Sequence, residues 1–129
     1  MVDNVFRNFE ILKEVKNIKS FTFVTGRRNS IFRFRGVDLV MLDDAFFIFG
    51  FNSLGSLKFY KCLIILTENK KVYRSHFSTA QIPEMFKFNL NSFNNDVYIE
   101  FNEKSQFYSN VEIRLEKLTQ EEKQFINIK

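Results

Sequence analysis

The chain has 129 residues, a length suited to one domain with a core of its own. Hydrophobic residues make up 45% and charged residues 26%, ordinary globular usage that excludes a disordered chain. The net charge of +4 is mild and scattered, short of the basic stripe that marks a nucleic-acid binder, and the single cysteine, Cys62, excludes an intrachain disulfide framework.

The aromatic share is 17%, with 18 Phe and no Trp. Phe, Asn, Lys and Ile, all read from AT-rich codons, account for 54 residues. Codon drift in a low-GC, bacterial genome explains much of the phenylalanine excess, with Phe standing where another chain would use Leu or Val.

The opening stretch MVDNVFRNFEILKEV carries charges throughout and lacks the apolar core of a signal peptide, which predicts a cytoplasmic protein. Within it and just beyond, Val5, Phe9, Leu12, Val15 and Ile18 are spaced by three and four residues. That period predicts an amphipathic helix over 1–19, with Asp3 or Asn4 as its N-cap. A strand from Phe9 to Leu12 is the competing reading.

From Ser20 the period falls to two. SFTFVT sets Phe21 and Phe23 on one face, GRRN at 26–29 reads as a turn, and IFRFR at 31–35 alternates Phe32 and Phe34 with Arg33 and Arg35. This is the pattern of an antiparallel strand with one wet face. VDLVML follows, Asp43-Asp44 reads as a tight turn, and AFFIFGF at 45–51 is apolar on both faces. Such a strand should be covered on both sides. LKFYKCLIILT at 57–67 is a long strand, and ENKK turns the chain into VYRSHFS. TAQIPEM, broken by Pro83, is an irregular crossing. FKFNL, DVYIEF and NVEIRLEKL then alternate, with Val111, Ile113 and Leu115 inward.

The tail changes period again. Thr119 with Glu122 three residues on is a capping box, which predicts a short helix over 118–129 stabilised by Phe125 and Ile126. The whole reads as a single domain, 1–129, of mainly β class. A bent antiparallel barrel or two packed sheets of eight or nine strands over 20–117 is flanked by one helix at each end. Phe21, Phe23, Phe32, Phe34, Phe86, Phe88 and Phe101 are expected in the core. The most apolar region, Val37 to Leu66, is interrupted by Asp38, Asp43, Asp44, Asn52, Lys58 and Lys61, so no transmembrane helix is expected.

Chemistry is sparse. His76 is the only histidine, so a nucleophile-histidine arrangement would have to use it. Cys62 sits in an apolar run and reads as a structural thiol, and no sequence spacing matches a metal site or a phosphate loop. A non-enzyme without a cofactor is therefore expected. One cluster stands out: Arg27, Arg28, Arg33 and Arg35 place four of the seven arginines within nine residues. Guanidinium forks suit phosphate and carboxylate oxygens, so these four are the candidate ligand-binding residues for an anionic lipid headgroup or peptide. Alternation puts Phe32 and Phe34 opposite the arginines, which separates stacking from phosphate contact and argues against single-stranded nucleic acid.

The strand series from Ile31 to Leu115 and the capped helix TQEEKQFIN together resemble a pleckstrin-homology-like domain. The resemblance implies a seven-stranded, strongly bent antiparallel barrel closed by a C-terminal helix. Phosphoinositide-binding members carry a basic residue near the end of the first strand and Arg-x-Arg in the second. Arg27 or Arg28 followed by Arg33-Phe34-Arg35 is similar to that arrangement, at a shorter spacing, and the terminal helix here has no tryptophan. A lipocalin-like barrel or another β-sandwich with flanking helices fits the same elements. The functional expectation is a binding module for an anionic group. Its alternative is a small protein that binds a partner, or a second copy of itself, through a sheet edge or the loop around Leu54.

Overall fold

The computed structural model describes residues 9–26, 32–90, 95–103 and 109–126. Seven strands occur among them: β1 (Lys13–Gly26), β2 (Gly36–Met41), β3 (Ala45–Leu54), β4 (Leu57–Thr67), β5 (Phe86–Asn89), β6 (Val97–Glu103) and β7 (Ser109–Leu115). Two short helices accompany them, α1 (Lys70–His76) and α2 (Gln120–Lys123). The class is mainly β, as alternation predicts.

All seven strands are antiparallel and lie in one sheet, ordered β4-β3-β2-β1-β7-β6-β5. β1 joins its two halves. Lys13 to Lys19 pair with β2, and Ser20 to Gly26 pair with β7. The halves share one core: Val37, Leu39, Met41, Phe46, Ile48, Ile64 and Leu66 from one, Val97, Ile99, Phe101, Val111, Ile113 and Leu115 from the other. Phe46 of β3 stacks on Phe88 of β5 with centroids 5.8 Å apart, so the sheet folds back on itself. Its edges β4 and β5 do not pair, and the sheet is not closed into a barrel.

β3 is AFFIFGF, and both of its faces are buried as its double apolar pattern predicts. Phe46 and Ile48 point into the shared core. Phe47 and Phe49 point the other way, into a second cluster closed by α1. There Phe47 meets Tyr73 and Phe77 edge-on at 5.5 and 5.0 Å, and Phe9 stacks on Tyr73. Gly50 interrupts the phenylalanine run for a steric reason. A Cβ at that position would lie 2.5 Å from Cδ2 of Phe34.

Several expectations need correction. The helix predicted over 1–19 is not found where the structure describes it: residues 13–19 are strand, and 9–12 are irregular. Residues 1–8 of that prediction lie outside the described residues. The spacing of three between Val15 and Ile18 comes from a β-bulge, not a helical turn. Val15 pairs with Leu39 and Ile18 with Val37, so three steps on β1 oppose two on β2. Asn17 takes φ 61°, the left-handed conformation that Asn tolerates well.

Residues 32–35 are not a strand. The backbone there is held piecemeal: Arg35 N–H donates to Phe51 O and to Asn52 Oδ1, Arg35 O accepts from Ser20 N–H, and Asn52 Nδ2 donates to Arg33 O. Alternation survives all the same, with Phe32 and Phe34 buried and Arg33 and Arg35 exposed. VYRSHFS belongs to α1 and its exit, where Tyr73 and Phe77, four apart, both reach the second cluster. Of the helix predicted over 118–129, only Gln120–Lys123 is helical among the described residues and 127–129 lie outside them; α2 has both capping-box bonds, Glu122 N to Thr119 Oγ1 at 3.0 Å and Thr119 N to Glu122 Oε1 at 2.8 Å.

Candidate functional site

The bulge in β1 sets up the site. An extra residue in a strand reverses the face of everything after it. Before the bulge, Val15 faces the core beside Leu39; after it, Ile18, Ser20, Thr22 and Val24 do. Cross-strand partners confirm the inner face: Ser20 lies opposite Leu115, Thr22 opposite Ile113 and Val24 opposite Val111, all fully buried. Phe21 and Phe23 therefore face out, 42% and 56% exposed, which overturns their expected place in the core.

Asp38 of β2 pins the bulge. Its carboxylate accepts from Asn17 N–H at 2.9 Å, from Tyr60 Oη at 2.6 Å and from Lys58 Nζ at 3.0 Å. Burial by itself raises the Asp38 pKa. The bonds from Tyr60, Asn17 and Lys58, with the Lys58 charge, outweigh it and hold the carboxyl below its ordinary value. Tyr60 is pushed up to about 12, by burial first and then by its bond to Asp38.

The segment 32–35 forms the opposite wall. Phe32 meets Phe101 at 5.8 Å, and Phe34 lies over Gly50, so two rings anchor the segment from below. Asn52 holds it from the side, its amide oxygen accepting from Arg35 N–H and its amide nitrogen donating to Arg33 O. Arg33 and Arg35 are left on top, exposed.

Between these walls lies an open cleft of about 1020 Å³, lined by Lys19, Ser20, Phe21 and Thr22 of β1, by residues 32–35, and by Asn52 and Ser53. Its charge is positive. Neither Arg33 nor Arg35 has an ion pair among the described residues, whereas Lys19 lies 3.9 Å from Glu116 and 5.5 Å above the ring of Phe21. The floor is polar. Ser20 Oγ and Thr22 Oγ1 are buried and have no hydrogen-bond partner among the described residues.

Of the four arginines singled out from sequence, the structure brings Arg33 and Arg35 to one cleft; Arg27 and Arg28 lie outside the described residues. Lys19, Ser20, Thr22 and Asn52 were not anticipated. The available signal was the three-residue step from Val15 to Ile18 around an asparagine, which marks a bulge as well as it marks a helix.

The other reactive groups stand apart. His76 is exposed, with Nδ1 3.0 Å from Val72 O and its ring edge-on to Phe9. Burial pushes the Cys62 thiol up to about 12, more than the nearby Lys61 charge lowers it, so it is a thiol and not a thiolate at neutral pH. Asp44 closes the β2–β3 turn, accepting from Tyr73 Oη and from Asn69 Nδ2. Among the described residues no three His, Cys, Asp or Glu side chains converge as a metal site would require, and no helix is long and apolar enough to cross a membrane.

No family model matches the chain, and no curated protein or solved structure matches it either.

Proposed function

We propose that the protein is a non-catalytic binding module that holds an anionic group, from a lipid headgroup or a peptide, in the cleft beneath Arg33 and Arg35. One observation carries this reading. Two exposed guanidinium groups without ion-pair partners among the described residues stand over a cleft whose wall adds Lys19. Unpaired arginines beside a concave surface suit oxyanion recognition through their forked donors. Arg27 and Arg28 belong to the same proposal on sequence grounds. Seven antiparallel strands and a capped terminal helix support a pleckstrin-homology-like assignment, while the unpaired edges of β4 and β5 depart from a closed barrel. A cytoplasmic, bacterial setting goes with it, in keeping with a lone cysteine and AT-biased composition.

Co-sedimentation with phosphatidylserine vesicles against phosphatidylcholine vesicles tests the reading. Binding to the anionic vesicles alone, weakening as salt rises, is expected. Arg33→Glu with Arg35→Glu removes that binding and leaves the fold intact, because both side chains are exposed. Binding that survives the double reversal rules out the cleft.

A second reading rests on the β3–β4 hairpin. Leu54 and Leu57 are 73% and 62% exposed, and Phe59 joins them. On the outer edge of β4, Leu63 O accepts from Gln81 N–H and Ile65 N–H donates to Gln81 O, but among the described residues nothing pairs that edge from Leu57 to Cys62. A free, apolar edge is suited to antiparallel pairing with a second copy across a two-fold axis. Sedimentation velocity separates the readings: dimerisation abolished by Leu54→Ser with Leu57→Ser supports it, and a monomer at all concentrations refutes it. Phe51, three residues before Leu54, is 7% exposed and belongs to the core.

A further inference from the structure

We propose that the anion held in the cleft is a phosphate monoester, and that Ser20 Oγ and Thr22 Oγ1 donate hydrogen bonds to its terminal oxygens. This rests on the anion-binding reading of the cleft and adds the part of the site that selects the ligand.

The two hydroxyls are an anomaly in the rest of the fold. Ser20 is 1% exposed, and among the described residues its hydroxyl, like that of Thr22, has no partner. An unsatisfied buried hydroxyl costs about 1–3 kcal/mol, and such groups are few in folded proteins. Alanine at 20 and valine at 22 would fill nearly the same volume beside Leu115 and Ile113 without that cost. The two residues lie on one face of β1, two apart, and both line the cleft that Arg33 and Arg35 border, with their hydroxyl oxygens buried beneath its surface.

The geometry selects among anions. Successive same-face positions on a strand are about 6.7 Å apart, a span that two O–H···O bonds of about 2.7 Å can bridge through one tetrahedral group. The donor set is two hydroxyls and two guanidinium groups, with the Lys19 ammonium left on the outer face of β1 beside Glu116 and Phe21. Asn52 spends its amide oxygen and one of its two amide N–H groups on Arg35 and Arg33. A phosphate monoester offers three terminal oxygens and close to two negative charges to these donors. A carboxylate offers two oxygens and one charge, and leaves part of the floor unpaired. The hydroxyls are uncharged, so they discriminate by hydrogen bonding while the arginines supply attraction. A free phosphorylated molecule and a phosphomonoester lipid share this chemistry.

The test titrates phenyl phosphate and benzoate into the full chain, followed by amide chemical shifts, and repeats the titrations on two double variants. Phenyl phosphate is expected to shift amides of β1 and of residues 32–35, and to bind at least tenfold more tightly than benzoate. Ser20→Ala with Thr22→Val should lower phenyl phosphate affinity roughly tenfold or more, lower benzoate affinity by a smaller factor, and melt no lower than the parent. Unchanged phenyl phosphate affinity in that variant overturns the proposal. In that event, loss of binding in Arg33→Gln with Arg35→Gln leaves the anion-binding cleft standing, and its retention removes the cleft as well. Should Ser20→Ala fail to fold, Thr22→Val alone, at a half-buried position, carries the same comparison with a smaller expected loss. A parallel sedimentation with phosphatidylcholine vesicles, with and without phosphatidic acid, assigns the source. Capture only by phosphatidic acid points to a membrane phosphomonoester, and phenyl phosphate binding without capture points to a soluble one. Binding to neither probe overturns the proposal.

Discussion

Gly50→Ala is the most direct test of how the fold carries the site. The substitution adds one methyl group in the middle of β3, opposite Val37 and Cys62. An ideal Cβ there would lie 2.5 Å from Cδ2 of Phe34 and 2.7 Å from Cε2 and Cγ. Those atoms belong to a ring that is almost fully buried, so it cannot swing into solvent. Overpacking of this kind costs about 1–3 kcal/mol. Unfolding entropy of about 2.1 cal/mol/K per residue gives a chain of 129 residues a fall in Tm of about 4 °C for each kcal/mol, so a loss of about 4–11 °C is expected. The readout is thermal unfolding, with Phe34→Leu and the double variant completing a cycle. Phe34→Leu opens space that the new methyl group fills, so the double variant should lose less than the two single losses together, by about 1 kcal/mol or more. Because Arg33 and Arg35 ride on the segment that Phe34 anchors, anion affinity should fall in Gly50→Ala and recover in the double variant. A Gly50→Ala protein as stable as its parent, or strictly additive losses, refutes the contact between ring and glycine as the anchor.

Two further outcomes follow from the same geometry. Asp38→Ala leaves the Asn17 amide, Lys58 and Tyr60 without their common acceptor, and should cost about 3 kcal/mol in urea unfolding, the lower end for a broken buried pair because Lys58 and Tyr60 can reach water. Since the folded-state Asp38 pKa is below its ordinary 3.8, its contribution is present above that pH and is lost as pH falls through the folded value, so the variant and parent should converge in acid. Tyr60 moves oppositely: its raised pKa contributes stability fully present below pH 10 and lost as pH rises toward about 12, and a phenolate titration should show it ionising earlier in Asp38→Asn. Phe21→Ser and Phe23→Ser should each change stability by no more than about 0.5 kcal/mol, because both rings face outward; a loss typical of a buried phenylalanine would show that the β1 register is wrong.

Strand class and the central strand were legible because period-two patterns report burial directly. AFFIFGF has two apolar faces and received two coverings, the shared core on one side and α1 on the other. NVEIRLEKL put Val111, Ile113 and Leu115 inward as read, and the Thr119–Glu122 box capped a helix. What failed had a common cause: periodicity reports the facing of residues, not the backbone that produces it. Residues 32–35 alternate in burial outside any strand: Arg35 alone keeps backbone bonds to the neighbouring strands, at Ser20 and Phe51, and Asn52 holds Arg33 O through its side chain. In VYRSHFS, Tyr73 and Phe77 are four apart, but Val72, exposed, is in register with neither, so the helical period was too short to read.

The bulge at Asn17 joins the fold error to the site. The sequence of β1 admits two facings beyond residue 17. Without an extra residue, Phe21 and Phe23 would continue the inward phase of Val15, and Ser20 and Thr22 would face water. That arrangement buries two large apolar side chains, each worth about 1.5–3 kcal/mol, and leaves no hydroxyl unpaired. The facing adopted does the reverse on both counts. Local hydrophobic burial therefore does not choose it. The Asp38 carboxylate does, by accepting the Asn17 amide where the strand widens and by drawing Lys58 and Tyr60 around the same point, together with the register of β7 on the far half of β1. The local preference of β1 is thus overridden at one place by a polar contact made 21 residues away in the chain. Asp38, which is not among the residues lining the cleft, decides which side chains of β1 face the core.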